Sequence, residues 1–111
     1  MKEVIAESKL LNQHIHDSDE YKNYISTKRK LCEDKELCHQ LKEFRRRNYE
    51  LQNRTDINPY DEVLALVIEY DELLHNSVVS DFLRAEQHIC KMMQQVYNSI
   101  ADVLEFDYLD E

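Results

Sequence analysis

The sequence contains no glycine and only one proline in 111 residues. Glycine supplies the positive-φ positions of tight hairpins and of the loops that cradle phosphate groups, and proline shapes many turns. A sheet-rich fold and a glycine-rich nucleotide site are therefore both disfavoured. The composition favours helices, which need neither residue in their interiors. Most compact enzyme motifs are lost together with the glycines.

Long apolar runs are also missing. No stretch approaches the roughly 18–20 apolar residues that a membrane-spanning helix needs. The first residues are acidic and amphipathic, unlike a signal peptide. The three cysteines, an odd number, fit free thiols in a reducing compartment better than a disulfide framework. We therefore expect a cytoplasmic protein without membrane contact.

The charge is divided unevenly along the chain. Residues 1–55 carry 12 Lys and Arg against 10 Asp and Glu, or +2, whereas residues 56–111 carry 2 against 13, or −11. Two explanations stay open. One is a solvated acidic surface with attraction between the two halves, and the other is a basic patch in the first half that faces a polyanion. The net charge of −9 favours the first explanation.

Apolar spacing predicts an all-α fold with about five helices in a single domain over residues 1–111. The expected architecture is an elongated up-and-down bundle that oligomerises through helix–helix packing. Short helices occupy the N-terminal half over 2–53, and a long helical hairpin follows over 58–105. Asp34 predicts the cap of the third helix, and Asn58 before Pro59 predicts the start of the fourth.

The last helix, predicted over about 78–105, carries an apolar residue at every seventh position. A stripe that continues for three to four heptads favours packing along a second long helix. This packing can lie in the core of one bundle or in a seam between subunits, and the sequence leaves both alternatives open. The residues that we predict for the seam are Phe82, Ile89, Met93, Val96 and Ile100.

Glu86 borders this stripe, four residues after Phe82. A buried carboxylate needs a partner to compensate for its lost hydration. The natural candidates are Arg45, Arg46 and Arg47, from the same chain or from a neighbouring subunit. We therefore hypothesise that Glu86 fixes the register of helix packing and takes no part in chemistry.

Several local strings resemble one bacterial helical family. The resemblance covers roughly residues 3–104 and rests on packing motifs. The strings are SDEYKNY at 18–24, FRRR at 44–47 leading to LQ at 51–52, and FLRAEQ at 82–87 with its continuation to VYNSI at 96–100. They resemble the YlbF, YmcA and YheA proteins of Gram-positive bacteria.

The resemblance implies a self-associating cytoplasmic regulator or adaptor without catalysis of its own. In this family YlbF and YmcA act with YaaT in a complex that assists the endoribonuclease RNase Y, and so influence mRNA maturation and developmental control. The implied partners are a second copy of the chain and YaaT-like and RNase Y-like proteins. YheA-like members have no such clear assignment, and the sequence fits either branch.

The cysteines differ from the family pattern. YlbF and YmcA carry cysteines near their C-termini and have been linked to iron–sulfur clusters, whereas this chain has no cysteine after Cys90. Cys32 and Cys38 have five residues between them, while zinc sites prefer two to four and a second pair. We expect free thiols and no cofactor. The alternative is that the three cysteines ligate a metal, or a cluster shared within a complex.

Two alternatives come from other functional classes. Arg45 to Arg47 with Arg54 could form a direct RNA-binding module, although three consecutive residues fan over about 200° of a helix and form no flat patch. The same run could instead pair with acids of the second half. Glu36–His39 and Glu72–His75 have the spacing of di-iron carboxylate bundles. We expect no catalytic residue and no enzyme activity.

Overall fold

The computed structural model describes residues 1–104, and every regular element within them is helical. This confirms the predicted all-α fold. A short 3-10 helix over Asp102–Leu104 follows the last α-helix. The α-helices of the described residues are α1 (Lys2–Asp17), α2 (Asp19–Glu33), α3 (Lys35–Gln52), α4 (Pro59–Glu69), α5 (Asp71–His75) and α6 (Ser77–Ala101).

The fourth predicted helix is divided in two. Tyr70 has φ −100° and ψ 22°, and this departure from helical geometry separates α4 from α5. The ring of Tyr70 lies 5.3 Å from the ring of Phe44 in α3. The predicted end of the last helix, residue 105, lies outside the described residues. None of the helices within 1–104 is long and apolar enough to cross a bilayer.

Side-chain caps define the helix boundaries. The Ser18 hydroxyl donates to the Ile15 carbonyl at 2.6 Å and accepts from the Tyr21 N–H at 3.2 Å, so it ends α1 and begins α2. Asp34 accepts a bond from the Leu37 N–H at 3.1 Å. Asn58 likewise accepts from the N–H two residues later, at 3.1 Å. The predicted caps of α3 and α4 are confirmed.

The chain forms two compact units. The central unit is Ile25–Leu83, and the terminal unit joins Met1–Tyr24 to the chain from Arg84 onward. In the central unit α3 packs against α4 and α5. The predicted single domain over 1–111 stays a prediction. The buried apolar residues of the central unit are Leu31, Leu41, Leu66, Leu73, Val79 and Phe82.

Asn76 caps the longest helix, α6. Its side-chain oxygen accepts bonds from the N–H groups of Val78 and Val79, at 2.9 and 3.3 Å. Its ψ of 132° is the extended conformation that helix caps adopt. Because Val79 is completely buried, this cap fixes the start of α6 beside the core of the central unit.

We expect Asn76→Ala to lower the free energy of unfolding by about 1 kcal/mol, because two N–H groups lose their acceptor. The melting temperature, followed by circular dichroism, should fall by roughly 4–8 °C. Asn76→Asp is the matched control, since it keeps an acceptor and places a negative charge at the helix N-terminus. An equal loss in both variants would contradict the capping role.

Candidate interaction surfaces

Arg47 links two helices of the central unit. Its guanidinium forms an ion pair with Glu69 at 2.7 Å and donates a longer bond of 3.4 Å to the hydroxyl of Tyr70. The guanidinium carbon also lies 5.5 Å from the centre of the Tyr70 ring, within cation–π range. The pKa of Arg47 is raised, first by its bond to Tyr70. The predicted pairing of the arginine run with the acidic half is thus confirmed for Arg47.

The neighbouring Arg46 is held within its own helix. It forms ion pairs of 2.8 Å with Glu43 and with Glu50, one on each side along α3. The hydrogen bond from Arg46 holds the pKa of Glu43 below its ordinary value. All three side chains are more than a third exposed. These contacts occupy the guanidinium without joining α3 to another helix.

Arg54 and Arg45 are the other two candidates for an RNA contact. Arg54 binds both carboxylate oxygens of Asp56, at 3.0 and 2.8 Å, and this bond lowers the pKa of Asp56. The guanidinium of Arg45 lies 5.5 Å from the centre of the Phe82 ring. With Arg46 and Arg47, each candidate arginine therefore has a partner within the chain.

An open cleft of about 220 Å³ lies between α3 and α4. Arg47 and Arg54 line it together with Glu50, Glu62 and Glu69. Three carboxylates thus accompany two guanidinium groups. A phosphate group entering this cleft would meet more negative than positive charge, so the cleft does not resemble a polyanion site.

A row of apolar side chains lies exposed along α4. Its members Tyr60, Leu64, Val67 and Ile68 recur at helical spacing, and we call them the α4 row. Beside it is a shallow, mainly apolar cavity of about 340 Å³, lined also by Gln52 and Val63. The opposite side of α4 is buried at Leu66. The helix is therefore apolar on two sides and covered on only one of them.

The terminal unit has almost no buried core. No residue of α1 is buried, and Val4, Ile5 and Leu10 are each about half exposed or more. Among the described residues of this unit, only Ala85 is buried. A helix of this length depends on packing of its apolar side for stability. The terminal unit therefore presents apolar surface that remains to be covered.

The residues of the predicted seam lie in different environments. Phe82 is buried, at 5% exposure, and belongs to the core of the central unit. Ile89 and Val96 are half-buried, as is Glu86, whose role in helix register stays a prediction. Met93 and Ile100 are exposed. These two and Tyr97 are spaced for one side of the helix and are called the distal α6 face.

The cysteines fall into a pair and a single residue. The sulfur atoms of Cys32 and Cys38 are 3.8 Å apart, and Cys90 is exposed in the terminal unit. All three are free thiols in this structure. Within residues 1–104, no three His, Cys, Asp or Glu side chains come together as metal ligands would. The metal and cluster alternatives therefore receive no geometric support from this part of the chain.

A family model described as "Control of competence regulator ComK, YlbF/YmcA" matches residues 4–105. The chain belongs to the YlbF/YmcA family. It is also similar to a UPF0342 protein of Caldicellulosiruptor bescii, with 25% identity over 96 residues that cover 83% of this chain and 80% of the relative. No solved structure matches the chain.

Membership of the YlbF/YmcA family confirms the resemblance found in the sequence and supports a regulatory role, since the family is described by control of a regulator. The family is of the regulator type and is not a known enzyme family. Each candidate arginine contacts a carboxylate or an aromatic ring of the same chain. The exposed apolar residues of α4, α6 and α1 are therefore the strongest candidates for function.

Sequence patterns did not reveal the α4 row. Apolar residues occupy consecutive positions of this helix, such as Val67 and Ile68, so their spacing does not separate a buried side from an exposed one. A helix with one buried side leaves a polar side facing water. The sequence signal for an exposed apolar side is that α4 has almost no polar residue after its first turn.

We expect Arg47→Ala to lower the melting temperature by a few degrees, because Arg47 joins α3 to Glu69 and Tyr70. Arg46→Ala is the matched control, with the same side chain removed one residue earlier. Its exposed pairs lie within one helix, so its melting temperature should stay within about 1 °C of the wild type. A loss for Arg47→Ala no larger than that for Arg46→Ala would contradict a stabilising role for the contact between α3 and α4.

Proposed function

We propose that this YlbF/YmcA-family protein is a non-catalytic adaptor that acts in the cytoplasm through protein–protein contacts. It associates with a second copy of itself and with YaaT-like and RNase Y-like proteins, and so influences mRNA processing. The observation that carries the proposal is the terminal unit, in which only Ala85 is buried among the described residues. Apolar surface left open in this way is typical of interaction sites.

The first proposed contact is between copies of the chain. The distal α6 face continues the apolar spacing that begins in the core, and a second copy presents the same face. Identical helices can pack along such a stripe in a symmetric dimer, because each supplies both the projecting residues and the gaps that receive them. Exposed residues of α1, such as Val4 and Leu10, add apolar surface to the same unit.

The second proposed contact uses the α4 row. Residues 59–75 contain five Asp and Glu and no Lys or Arg. Asp61, Glu62 and Glu69 are exposed acids on the helix that carries the row. The chemistry that fits this surface is an amphipathic segment with apolar residues flanked by Lys or Arg. We assign this contact to the YaaT-like or RNase Y-like partner.

Direct RNA binding is the competing function. It would require arginines that are available to phosphates, whereas Arg46, Arg47 and Arg54 form ion pairs with carboxylates of the same chain. Breaking such pairs opposes binding, and the net charge of −9 repels a polyanion. RNA affinity that fell steeply with salt concentration would favour this alternative.

Two matched variants separate the contacts. Ile100→Lys places a charge on the distal α6 face, and Ile68→Lys places the same charge on the α4 row. The two isoleucines are 60% and 68% exposed, so their effects on folding should be similar. We expect the wild type and Ile68→Lys to elute as a dimer or larger oligomer, and Ile100→Lys to shift toward the monomer mass in light scattering.

A monomeric wild type at micromolar concentration would contradict self-association. Dissociation caused by Ile68→Lys but not by Ile100→Lys would place the seam on α4 and refute its assignment to α6. Circular dichroism of both variants checks that each remains helical. Only a change of mass without a loss of helix counts as evidence.

The partner contact is tested by an anaerobic affinity pull-down from the native host, read by mass spectrometry. We expect the wild type to recover YaaT-like and RNase Y-like proteins. Ile68→Lys should reduce this recovery at least tenfold, since one buried cation opposite a basic partner segment costs more than about 1.4 kcal/mol. Ile100→Lys serves as the matched control and should retain the α4 contact.

Recovery of the tagged protein alone would contradict the assignment of these partners. Equal recovery by the wild type and Ile68→Lys would show that the α4 row is not their binding surface. The two results differ, because the first concerns the identity of the partner and the second concerns where it binds.

A further inference from the structure

Two of the three cysteines meet where α2 passes into α3. Cys32 lies in the last turn of α2 and Cys38 in the first turns of α3. Their sulfur atoms are 3.8 Å apart, a distance at which one thiol donates a weak hydrogen bond to the other. Cys32 is exposed and Cys38 is half-buried. The pair is therefore close together and open to small molecules.

The backbone on both sides of the bend holds the two thiols in this arrangement. The N–H of Asp34 donates to the Leu31 carbonyl at 3.2 Å, and the N–H of Cys38 donates to the Asp34 carbonyl at 3.0 Å. The Asp34 side chain caps α3 through the Leu37 N–H. Hydrogen bonds hold the backbone where α2 ends and α3 begins, so the proximity of the two thiols is a property of the fold.

We propose that Cys32 and Cys38 are a modification site that closes reversibly to a disulfide, with a low-molecular-weight disulfide as the oxidant. A disulfide has a sulfur–sulfur distance of about 2.05 Å. The thiols are already in contact and lie on side chains that rotate about χ1, so closure requires a further approach of less than 2 Å from the observed 3.8 Å. The closed bond would join α2 to α3 and restrict the bend between them.

The reaction consists of two thiol–disulfide exchanges. A thiolate of the pair attacks a sulfur of the oxidant, which forms a mixed disulfide and releases one thiolate of the small molecule. The second cysteine loses its proton and attacks the protein sulfur of the mixed disulfide, which releases the other small thiolate. The two cysteines lose two electrons and two protons in total, and the oxidant becomes two small thiols.

The surroundings of Cys32 act in opposing directions. Its pKa is raised above the ordinary value of a thiol, first by the hydrogen bond shared with Cys38 and then by burial and the nearby second thiol. The positive charges of Lys28 and Lys42 act against this rise. The raised pKa lowers the fraction of Cys32 that is present as thiolate at neutral pH and so slows its attack on a disulfide. The two lysine charges favour the thiolate that the exchange requires.

Metal ligation fits the pair less well. Two thiolates alone leave a tetrahedral ion with two open positions. Within residues 1–104 no third His, Cys, Asp or Glu side chain completes a set of ligands around them. Disulfide formation needs only the two sulfur atoms that are present, so the geometry favours it.

The tryptic map of the chain makes the proposal testable on the full-length protein. Trypsin cleaves after Lys30, Lys35 and Lys42, so Cys32 falls in peptide 31–35 and Cys38 in peptide 36–42. The reduced protein is incubated with glutathione disulfide, alkylated and digested. We expect the two peptides to appear joined by a disulfide, with neither Cys32 nor Cys38 left free for alkylation.

Matched serine variants test whether each sulfur is required for the disulfide. Cys32→Ser and Cys38→Ser each remove one partner, so the remaining cysteine should retain the mass of one glutathione. Cys90→Ser should still form the linked 31–35 and 36–42 pair. Addition of dithiothreitol should restore all thiols. Because these serine changes are small and two sites are tested separately, a folding defect in one variant leaves the other informative.

Three results would overturn the proposal. One is stable glutathionylation of both Cys32 and Cys38 in the wild type without a linked peptide pair. Another is a link from either cysteine to the Cys90 peptide, 85–91, as the main product. The third is that both Cys32 and Cys38 remain free thiols under a glutathione disulfide excess that modifies Cys90.

Discussion

The absence of glycine is the constraint on which the rest of this structure depends. Without glycine, the common left-handed helix ending becomes costly. At four of the five junctions between the described α-helices, the new helix instead begins after a residue whose side chain caps it. Ser18, Asp34, Asn58 and Asn76 occupy these positions. Three of them stand in bends of only one residue between helices.

These short bends determine which side chains meet. At Asp34 the bend brings two cysteines six positions apart into contact. At Asn76 it directs Val79 into the core. The longer connection before Asn58 allows α4 to pack along α3, where Arg47 meets Glu69 and Tyr70. The side-chain caps therefore help to determine which residues meet inside the central unit. They also set the position of the thiol pair on its surface.

The sequence predicts the all-α fold and two of the caps because both depend on local chemistry. Asp34 and Asn58 cap with their own side chains, and no distant residue is needed to identify them. The environment of Phe82 depends on distant residues. A seven-residue repeat shows that an apolar side faces a helix, without showing whether that helix belongs to the same chain. Phe82 meets Arg45 of its own chain.

Cysteine spacing illustrates the same limit. Five intervening residues are too many for one zinc knuckle, and the cap predicted at Asp34 places a bend between Cys32 and Cys38 without giving the distance between their sulfur atoms. In the structure, the helix ends at Glu33 and begins again at Lys35, so a separation of six positions spans a bend. Spacing rules for metal ligands assume one continuous backbone conformation. The bend at Asp34 instead places the two cysteines on two separate helices.

The apolar stripe of α6 changes from buried to exposed along the helix. Its first part, at Val79, Phe82 and Ala85, is buried. After Ala85 no described residue of α6 is buried, and the exposed fraction rises to 60% at Ile100. A stripe needed only for the core would end where the core ends, because continued apolar surface in water gains nothing for the isolated chain. Beyond Ala85 the stripe contains half-buried residues, Ile89 and Val96, and exposed ones, Met93 and Ile100, and the exposed ones are the surface on which the proposed self-association depends.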